Sequence, residues 1–454
     1  MIANPANLAD RFYGTTDLSP DARQLVRRGV GLIVSFVFLL MATNTFFILY
    51  ALEKVSYVEL GLLLALQFFV QAISDYPTGA VSDWIGQRRV FAVATLFMGV
   101  GYLFLSNATS FWGLAIAFVL LGIGQAQESG TWISWFDNNY KMYAAEDTDR
   151  RTYSYVFSRF QLLMRVGNAS AFILGGLLVT FAGRSVVFFG QGIVILAFTV
   201  LVLVIMRDHP NITRPKPELK NYLRFVIEGV KVSMGQKTLR YVILGITISS
   251  TAFTVWGNFI LFPLYESYGK SDAMAGVLRA FIFLIGAGQF LLVGSIARKL
   301  SSDKARKVLA LSQILTPLLF FGIMIINLQV NPAPESFSWL AFFGFATALV
   351  LATSLGGLQQ TLMPRLFLDI IPDKNRNSVY SLMPTFVLLA GLPGTTMAGW
   401  SLETLGLQST LAILGLVGTL GGLVIGYGIY HHRYQVLEEP VKTKVMDDPT
   451  PQPS

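Results

Sequence analysis

The sequence has no cysteine, only three histidines and few charged residues. Without cysteine the chain cannot form disulfides, use a thiol nucleophile or bind a metal through thiolates. Charged residues make up 13% of the 454 residues, whereas soluble domains have about a quarter. No nucleotide-binding loop, metal-ligand cluster or nucleophile–base spacing occurs. We therefore predict no cofactor, no metal site and no enzyme, and the shortage of charge argues against a soluble protein.

Hydrophobic residues are abundant where charges are missing. They make up 53% of the chain, and the mean hydropathy is +0.57. A helix that crosses a bilayer core of about 30 Å needs roughly 20 apolar residues. The charge-free run 90–127 is long enough for two crossings, and a polar cluster at 106–110 divides it. The pattern predicts an all-α polytopic membrane protein with twelve transmembrane helices, from charge-free runs at 29–52, 60–74, 90–127, 166–183, 185–206, 241–265, 280–297, 308–334, 336–364, 377–402 and 404–432.

The basic residues are concentrated in every second loop. Of the 34 lysines and arginines, 28 lie in the two termini and in alternate loops, whereas the other loops contain only Lys54, Arg184 and Lys270. Cytoplasmic loops of membrane proteins carry such an excess. We therefore predict a multi-pass protein of the cell membrane with both termini in the cytoplasm. A nucleic-acid-binding protein would collect its basic residues on one surface, so we expect no nucleic acid partner, and we expect a monomer in the lipid bilayer.

The chain divides into five predicted segments. The longest cytoplasmic loop, 207–240, begins with three prolines and continues with apolar residues at helical spacing. This pattern predicts an amphipathic helix on the membrane surface. The loop separates two sets of six predicted spans, 29–206 and 241–432. Residues 1–28 are predicted to be a cytoplasmic N-terminal segment, and 433–454 a disordered cytoplasmic tail.

Several residues recur in the same order in the two halves. Glu53 and Glu266, at the ends of spans 1 and 7, are 213 residues apart. Such an order predicts an internal duplication that gives two pseudo-symmetric six-helix bundles. The further pairs are Gly61 with Gly276, Gly79 with Gly294, Gly175 with Gly399, and Arg151 with Arg376.

The loop between spans 2 and 3 contains a motif of two glycines, an aspartate and two arginines. Its residues are Gly79, Asp83, Gly86, Arg88 and Arg89. The motif resembles the loop signature of the major facilitator superfamily, although two further positions that are usually basic in that family are Trp84 and Gln87 here. A partial copy without the aspartate follows span 8 at 294–299, where the family also repeats the signature.

The resemblance implies twelve helices in two bundles and a transporter that works by alternating access. In proteins of this family, the aspartate of the motif latches the two halves in the outward-open state. The resemblance thus implies that Asp83 contacts the beginning of span 11 near Arg376, where the helix dipole is positive. A second interpretation is that this loop only anchors the helix end with positive charges.

Charged residues also lie inside predicted spans, where each one costs about 2.5–3.5 kcal/mol on insertion scales. Glu128 on span 4 lies at a depth between Arg159 and Arg165 of span 5, so we predict an ion pair of Glu128 with an arginine. Three interpretations are open: a permanent structural ion pair, a proton site at Glu128, or a clamp in which Arg165 and Arg279 bind a carboxylate or phosphate. Histidine cannot carry the proton, because all three histidines lie outside the spans.

Other polar residues within the spans are weaker candidates. Asp75, near Pro77 on span 2, is a second candidate carboxylate, and we predict that it pairs with Arg159. Polar residues on spans 1, 7 and 10 could line a cavity, although such residues can equally stabilise helix packing. These candidates are Asn44, Thr45, Trp256, Asn258, Gln359 and Gln360.

Together these features predict a secondary active transporter that moves a small-molecule solute by alternating access. We expect coupling to protons, and the three arginines within spans favour an anionic or zwitterionic solute. The alternatives are a multidrug or amphiphile exporter, a lipid flippase, a proton-independent uniporter and a non-transporting receptor.

Overall fold

The computed structural model describes residues 8–212, 227, 229–330, 337–371 and 376–438. For some residues within these ranges, among them Asp83 and Arg376, it describes only the backbone. Helices joined by short turns make up the described residues, and these residues contain no strand. Most of the predicted amphipathic linker helix falls at 213–226, outside the described residues, and stays a prediction.

The described part of the first half contains nine helices, and four of them form two interrupted spans. Helices α2 and α3 make up span 1, and α6 and α7 make up span 4. The helices are α1 (Leu8–Tyr13), α2 (Pro20–Asn44), α3 (Phe47–Leu52), α4 (Tyr57–Ile85), α5 (Gln87–Asn107), α6 (Phe111–Glu128), α7 (Thr131–Tyr143), α8 (Arg151–Ala182) and α9 (Arg184–Ile205).

The second half repeats this order after the linker. A π-helical segment, Trp256–Ile260, joins the first two helices into span 7. The helices are α10 (Lys237–Val255), α11 (Leu261–Gly269), α12 (Asp272–Lys299), α13 (Ser302–Val330), α14 (Trp339–Ile370), α15 (Arg376–Thr404) and α16 (Gly406–Glu438).

The all-α polytopic architecture is confirmed. Within the described residues, eleven segments are long and apolar enough to cross a membrane. Each corresponds to one of the twelve predicted spans. The remaining predicted span, span 8, corresponds to α12, which is 28 residues long. That α12 crosses the membrane stays a prediction.

Both ends of the helical region extend further than the sequence predicted. Helix α2 begins at Pro20, inside the segment 1–28, because Ser19 caps it and proline suits the first helical position. Its Arg27 forms an ion pair of 2.6 Å with the buried Asp10 of α1. Helix α16 continues to Glu438, inside the predicted disordered tail, because no helix breaker occurs before Pro440. The limits of the apolar runs were therefore not the limits of the helices.

One end of the bundle carries the turns 53–56, 183, 270–271 and 405; we call it the outer end, since the basic residues predict that it is extracellular. Serine caps begin the helices that follow several outer turns. Each of these serine side chains accepts a hydrogen bond from a backbone N–H in the first turn of its helix, which satisfies a donor that the helix leaves free. The caps are Ser56, Ser110, Ser271 and Ser338.

Two helix pairs join the halves, α4 with α15 and α8 with α12. Glycines allow close backbone contact at both. A Cβ atom at Gly61 would lie 2.7 Å from the carbonyl oxygen of Thr395 on α15, and one at Gly276 would collide with the carbonyl oxygen of Phe172 on α8. Because small residues let helix backbones approach closely, these equivalent glycines create equivalent interfaces.

The glycines on the opposite sides of these interfaces also correspond. Gly399 packs against the backbone of Tyr57 at the start of α4, and Gly176 packs against the backbone of Asp272 at the start of α12. The partner of Gly399 in the repeat is therefore Gly176. Pairing Gly399 with Gly175 was wrong by one residue, because Gly175 faces Ala42 within the first half.

Candidate functional site

Three spans are interrupted at predicted site residues. Helix α2 ends at Asn44, α6 ends at Glu128, and the π-helical segment contains Trp256 and Asn258. Gly130, with φ of +69°, makes the break after Glu128 possible. Irregular backbone at membrane depth occurs where it is buried in protein or lines a cavity, and π-helical turns are frequent at functional sites. The interruptions therefore indicate where the site lies.

Arg279 brings two predicted candidates together across the halves. From α12 it donates hydrogen bonds to the Asn44 side-chain oxygen (2.7 Å) and to the Thr45 hydroxyl (2.9 Å). Its guanidinium lies over the rings of Phe172 and Phe262, at 4.0 and 4.8 Å from their centroids. Dipoles and aromatic faces thus stabilise this cation, and no carboxylate among the described residues pairs with it.

A cavity of about 310 Å³ lies within the second half and is lined by residues of spans 7 to 10. We call it the second-half cavity. The predicted candidates Trp256 and Gln359 line it, as does Gln360. Ile282, one helical turn beyond Arg279 on α12, also lines it, so Arg279 lies near its outer end. Asn258 is not among the lining residues, and its amide donates to the carbonyl oxygen of Thr254 in the preceding turn.

The predicted ion pair of Glu128 is absent. Glu128 has no ionic or hydrogen-bonding partner in the described part of the chain. It is the last residue of α6, directly before the break of span 4 at Gly130. Arg165 lies half-buried in the middle of α8.

Arg159 does not pair with Asp75, contrary to prediction. Its guanidinium donates a hydrogen bond to the Tyr155 hydroxyl one turn away on α8. It also lies 4.8 Å from the Tyr155 ring centroid and 5.3 Å from that of Phe12 on α1. Aromatic faces can stabilise an arginine without a carboxylate, and the sequence offered no sign that α1 would fold back to α8.

The outer ends of the halves are joined by an ion cluster that sequence reasoning missed. Arg184, at the start of α9, contacts Glu53 at 2.6 Å and Asp272 at 2.7 Å, and it also forms an ion pair with Glu266. We call these four residues the outer cluster. Glu53 belongs to the first half, whereas Glu266 and Asp272 belong to the second. The Arg184 side chain is only 14% exposed, whereas Glu53 and Glu266 are 46% and 40% exposed, so the cluster buries its cation at the outer end of the interface and leaves two carboxylates in contact with solvent.

The signal for the outer cluster was present in the sequence. Glu53 and Glu266 had been recognised as repeat-related, and Arg184 is one of three basic residues in the outer loops. The repeat therefore brings two equivalent carboxylates to one arginine. A second link lies close by on the other interface, where the backbone N–H of Val58 donates to a carboxylate oxygen of Glu403 at 3.0 Å.

The motif between spans 2 and 3 is described only in part. Gly86 has φ of +97° and makes the one-residue turn between α4 and α5. Arg88 donates a hydrogen bond to the carbonyl oxygen of Leu203 on α9, within the same half, and Arg89 is exposed. The side chains of Asp83 and Arg376 and the surroundings of Gly79 lie outside the described residues, so the latch stays a prediction.

The inner loop between spans 4 and 5 is organised by Asp147. Burial alone would raise the pKa of Asp147, but hydrogen bonds lower it below the usual value of an aspartate. The donors are the Tyr153 N–H (2.9 Å), the Tyr140 hydroxyl (2.9 Å) and the Thr152 N–H (3.2 Å). Arg150 lowers the pKa further through its charge. Asp147 thus ties the end of α7 to the first turn of α8.

Two helical bundles that meet at repeat-related interfaces define a multi-pass membrane protein of the transporter class. The sequence profile of the Major Facilitator Superfamily matches residues 31–356. The chain therefore belongs to the major facilitator superfamily, as the loop motif implied. No curated protein matches the sequence.

Solved structures share the fold. The chain is similar to the nucleoside transporter NupG, with a TM-score of 0.67 at 11% identity over 89% of this chain and 99% of that one. It is also similar to a D-xylose-proton symporter, with a TM-score of 0.61 at 13% identity over 89% and 96%. A third is a bacterial homolog of the human lysosomal transporter Spinster in an inward-facing and occupied conformation, with a TM-score of 0.60 at 15% identity over 92% and 96%. At these identities the likeness concerns the fold.

Proposed function

We propose that this chain is a secondary active transporter that moves a small solute across the membrane by alternating access. One observation carries the proposal. The outer ends of the two halves are joined by the outer cluster. Arg279, two turns further into α12 than Asp272, joins the halves again at Asn44 and Thr45, and the second-half cavity begins one turn beyond it at Ile282. A site that is closed at one end by contacts between halves has the arrangement that alternating access requires.

Opening the outer end requires that Arg184 part from the carboxylates of the second half. The N–H of Val58 must likewise part from Glu403, and Arg279 from Asn44 and Thr45. All of these contacts join one half to the other, so a rocking motion breaks them together. The predicted contact of Asp83 with the start of span 11 would then hold the opposite end closed.

We propose that Glu128 couples this motion to protons. It is a carboxylate at membrane depth without an ionic partner in the described chain, at the break of span 4. Ionisable residues within a membrane are costly and mark ion or proton pathways. A rocking motion exposes this break to water first from one side of the membrane and then from the other. A residue at the break can therefore take up a proton on one side and release it on the other. Among proteins of this fold, one is titled a D-xylose-proton symporter.

An anionic or zwitterionic solute remains a prediction that rests on the arginines within spans. Arg159 is engaged by Tyr155 and Phe12, and Arg279 by Asn44, Thr45 and two aromatic rings. An anion clamp thus depends on Arg165 and on release of Arg279. In the two alternative functions, amphiphile exporter and lipid flippase, the same fold would move an apolar solute.

Uptake into sealed vesicles tests the proposal. Purified protein should catalyse saturable uptake of a radiolabelled solute, and an imposed proton gradient of one pH unit should drive accumulation. For one proton per solute the expected accumulation is about tenfold, since one pH unit is about 1.4 kcal/mol. Saturable uptake that ignores the gradient would identify a uniporter. Binding of a solute without any transmembrane flux would identify a receptor.

A further inference from the structure

We propose that the second-half cavity binds an uncharged solute that has a flat ring face and several hydroxyl or amide groups. This inference rests on the proposed transport function and names the substrate class of that site. It departs from the anionic solute that the sequence favoured. The reasons are the absence of charge in the lining, the hydrogen-bonding groups that two amides leave available, and the aromatic side chains of the lining.

No lining residue of the second-half cavity carries a charge. An ionised solute there would lose its hydration without gaining a counterion, and burying an unpaired charge is far costlier than burying a hydrogen-bonded neutral group. Arg279 is the cation nearest in the fold, but it donates to Asn44 and Thr45 and lies over two aromatic rings. A carboxylate or phosphate would have to displace these partners first.

Two glutamines provide hydrogen-bonding groups to the cavity. The Gln359 nitrogen donates to the carbonyl oxygen of Ser312 and to the Thr316 hydroxyl, both at 2.8 Å. These bonds fix the amide and leave its oxygen as an acceptor. Gln360 is exposed and makes no hydrogen bond with the described chain, so its whole amide is available. One acceptor beside one complete amide suits a solute that offers both donors and acceptors, such as hydroxyl groups.

An aromatic wall faces these amides. Trp256 packs against Phe320 with ring centroids 5.2 Å apart, and Phe253 packs against the same ring at 5.5 Å. Trp256 and Phe253 both line the cavity, and Tyr265 joins them. Indole and phenol rings present flat faces together with polar edges. A solute with a ring can pack on this wall while its polar groups reach Gln359 and Gln360.

The same lining argues against an amphiphile or lipid chain. An apolar occupant would cover the Gln359 oxygen without offering it a hydrogen-bond donor. Leaving buried polar groups unsatisfied costs about 1–3 kcal/mol each. The volume also lies at the small end of the roughly 300–1,000 Å³ that is typical of ligand sites.

Matched pairs of compounds test this inference. Thermal stabilisation of the purified full-length protein is measured with a nucleoside and its 5′-monophosphate, and with an aldose and the corresponding uronic acid. We expect at least one uncharged member to stabilise the protein and its charged partner to bind at least tenfold more weakly. Stronger binding by a charged member, or no stabilisation by any uncharged member, would overturn the inference.

Variants then place the binding in this cavity. Gln360→Ala removes an amide that has no internal partner, so folding should be unaffected and the Kd should rise about tenfold, the equivalent of one hydrogen bond. Gln359→Ala should raise the Kd at least as much as Gln360→Ala. Gln329→Ala, an exposed glutamine at the outer end of α13, is the matched control and should leave the Kd unchanged. An unchanged Kd in both cavity variants would refute the assignment.

The outcomes separate the two proposals. If a charged solute is transported while uncharged members neither bind nor compete, the substrate class is wrong and the transport function stands. If an uncharged solute binds in a manner that depends on Gln360 but no flux occurs under any gradient, the binding site stands and the transport function fails.

Discussion

The two halves share one helical framework but differ in the polar groups that they place inside it. The first half carries Glu128, Arg159 and Arg165 within its predicted spans. The second half carries Arg279 at the interface between the halves, but it lines its cavity with uncharged amides, hydroxyls, aromatic rings and aliphatic side chains. The two halves thus share equivalent interfaces but differ in the charge of their interiors. The difference suggests a division of labour, with proton coupling in the first half and solute binding in the second.

Removing the carboxylate of Glu128 is the strongest way to break this comparison. Glu128→Gln should abolish the accumulation that a proton gradient drives, from about tenfold per pH unit to none. Solute binding, measured by thermal stabilisation, should persist, because Glu128 does not line the second-half cavity. Glu59→Gln, whose hydrogen bonds with Ser56 lie within the same half, is the control and should retain gradient-driven accumulation. If Glu128→Gln abolished binding as well, the two halves would not divide the work.

Weakening the outer cluster should alter the ratio of outward-open to outward-closed molecules without changing the polar residues inside either half. Arg184→Gln removes the cation that holds Glu53, Glu266 and Asp272, and hydrogen bonds to charged groups are worth about 1.5–3 kcal/mol. We expect the population of outward-open molecules to rise about tenfold. Distances between spin labels on cysteines at Thr109 and Leu405, exposed outer positions in opposite halves, would report it.

Lys54→Gln is a suitable control for that experiment. Lys54 lies beside Glu53 at the outer end but contacts the Tyr50 ring within its own half. An equal shift in the Lys54 and Arg184 variants would mean that outer charge in general, and not the outer cluster, sets the balance. Because the native chain has no cysteine, the introduced labels are free of background.

Filling an equivalent glycine in each half tests whether the two interfaces are equally tight. Gly61→Ala and Gly276→Ala would both press a Cβ atom into the backbone of the opposite half. Overpacking costs about 1–3 kcal/mol, so both should lower the melting temperature by similar amounts. Gly190→Ala, which has open space around it, should not. A large effect in only one half would show that the interfaces are not equivalent.

The smallest effect is expected at the inner loop. Asp147→Asn should destabilise the protein by about 1–2 kcal/mol at neutral pH, because it weakens the hydrogen bonds that organise the start of α8. Since the pKa of Asp147 is lowered in the folded state, its contribution is present above the unfolded pKa and is lost as the pH falls through the folded value. The difference in melting temperature should therefore disappear in acid.

The neighbouring Asp149 supplies the control. It forms an ion pair with Arg151 in which both side chains are largely exposed, at 70% and 87%. Exposed pairs contribute little, so Asp149→Asn should leave the melting temperature almost unchanged at every pH.

Much of the fold could be predicted because it depends on local composition. Charge-free runs gave the spans, and the glycines and Glu53 with Glu266 gave the repeat. Candidates from polar residues within spans were partly right: Asn44 and Arg279 meet, and Trp256 and Gln359 line one cavity.

Side-chain partners could not be predicted in the same way. Glu128 was assigned an arginine by its depth along the helix, but no arginine of the described residues pairs with it. Arg159 was assigned a carboxylate, but α1 folds back and offers Phe12. Arg184 was counted as an outer loop charge, although its partners lie 82 to 131 residues away. Such contacts depend on how helices rotate and cross, which periodicity does not determine.

For the proposed transport cycle, the position of the outer cluster has a consequence for speed. Its carboxylates are partly exposed at the outer end, so when Arg184 leaves its partners the charged groups are rehydrated at once. The free energy of the broken contacts is largely offset by hydration. The difference in free energy between the outward-closed and outward-open states therefore stays small. The modest free energy of binding one solute is then enough to tip the balance. At the bilayer centre the same four charges could not be rehydrated after separation. The outer end would then open too slowly for transport.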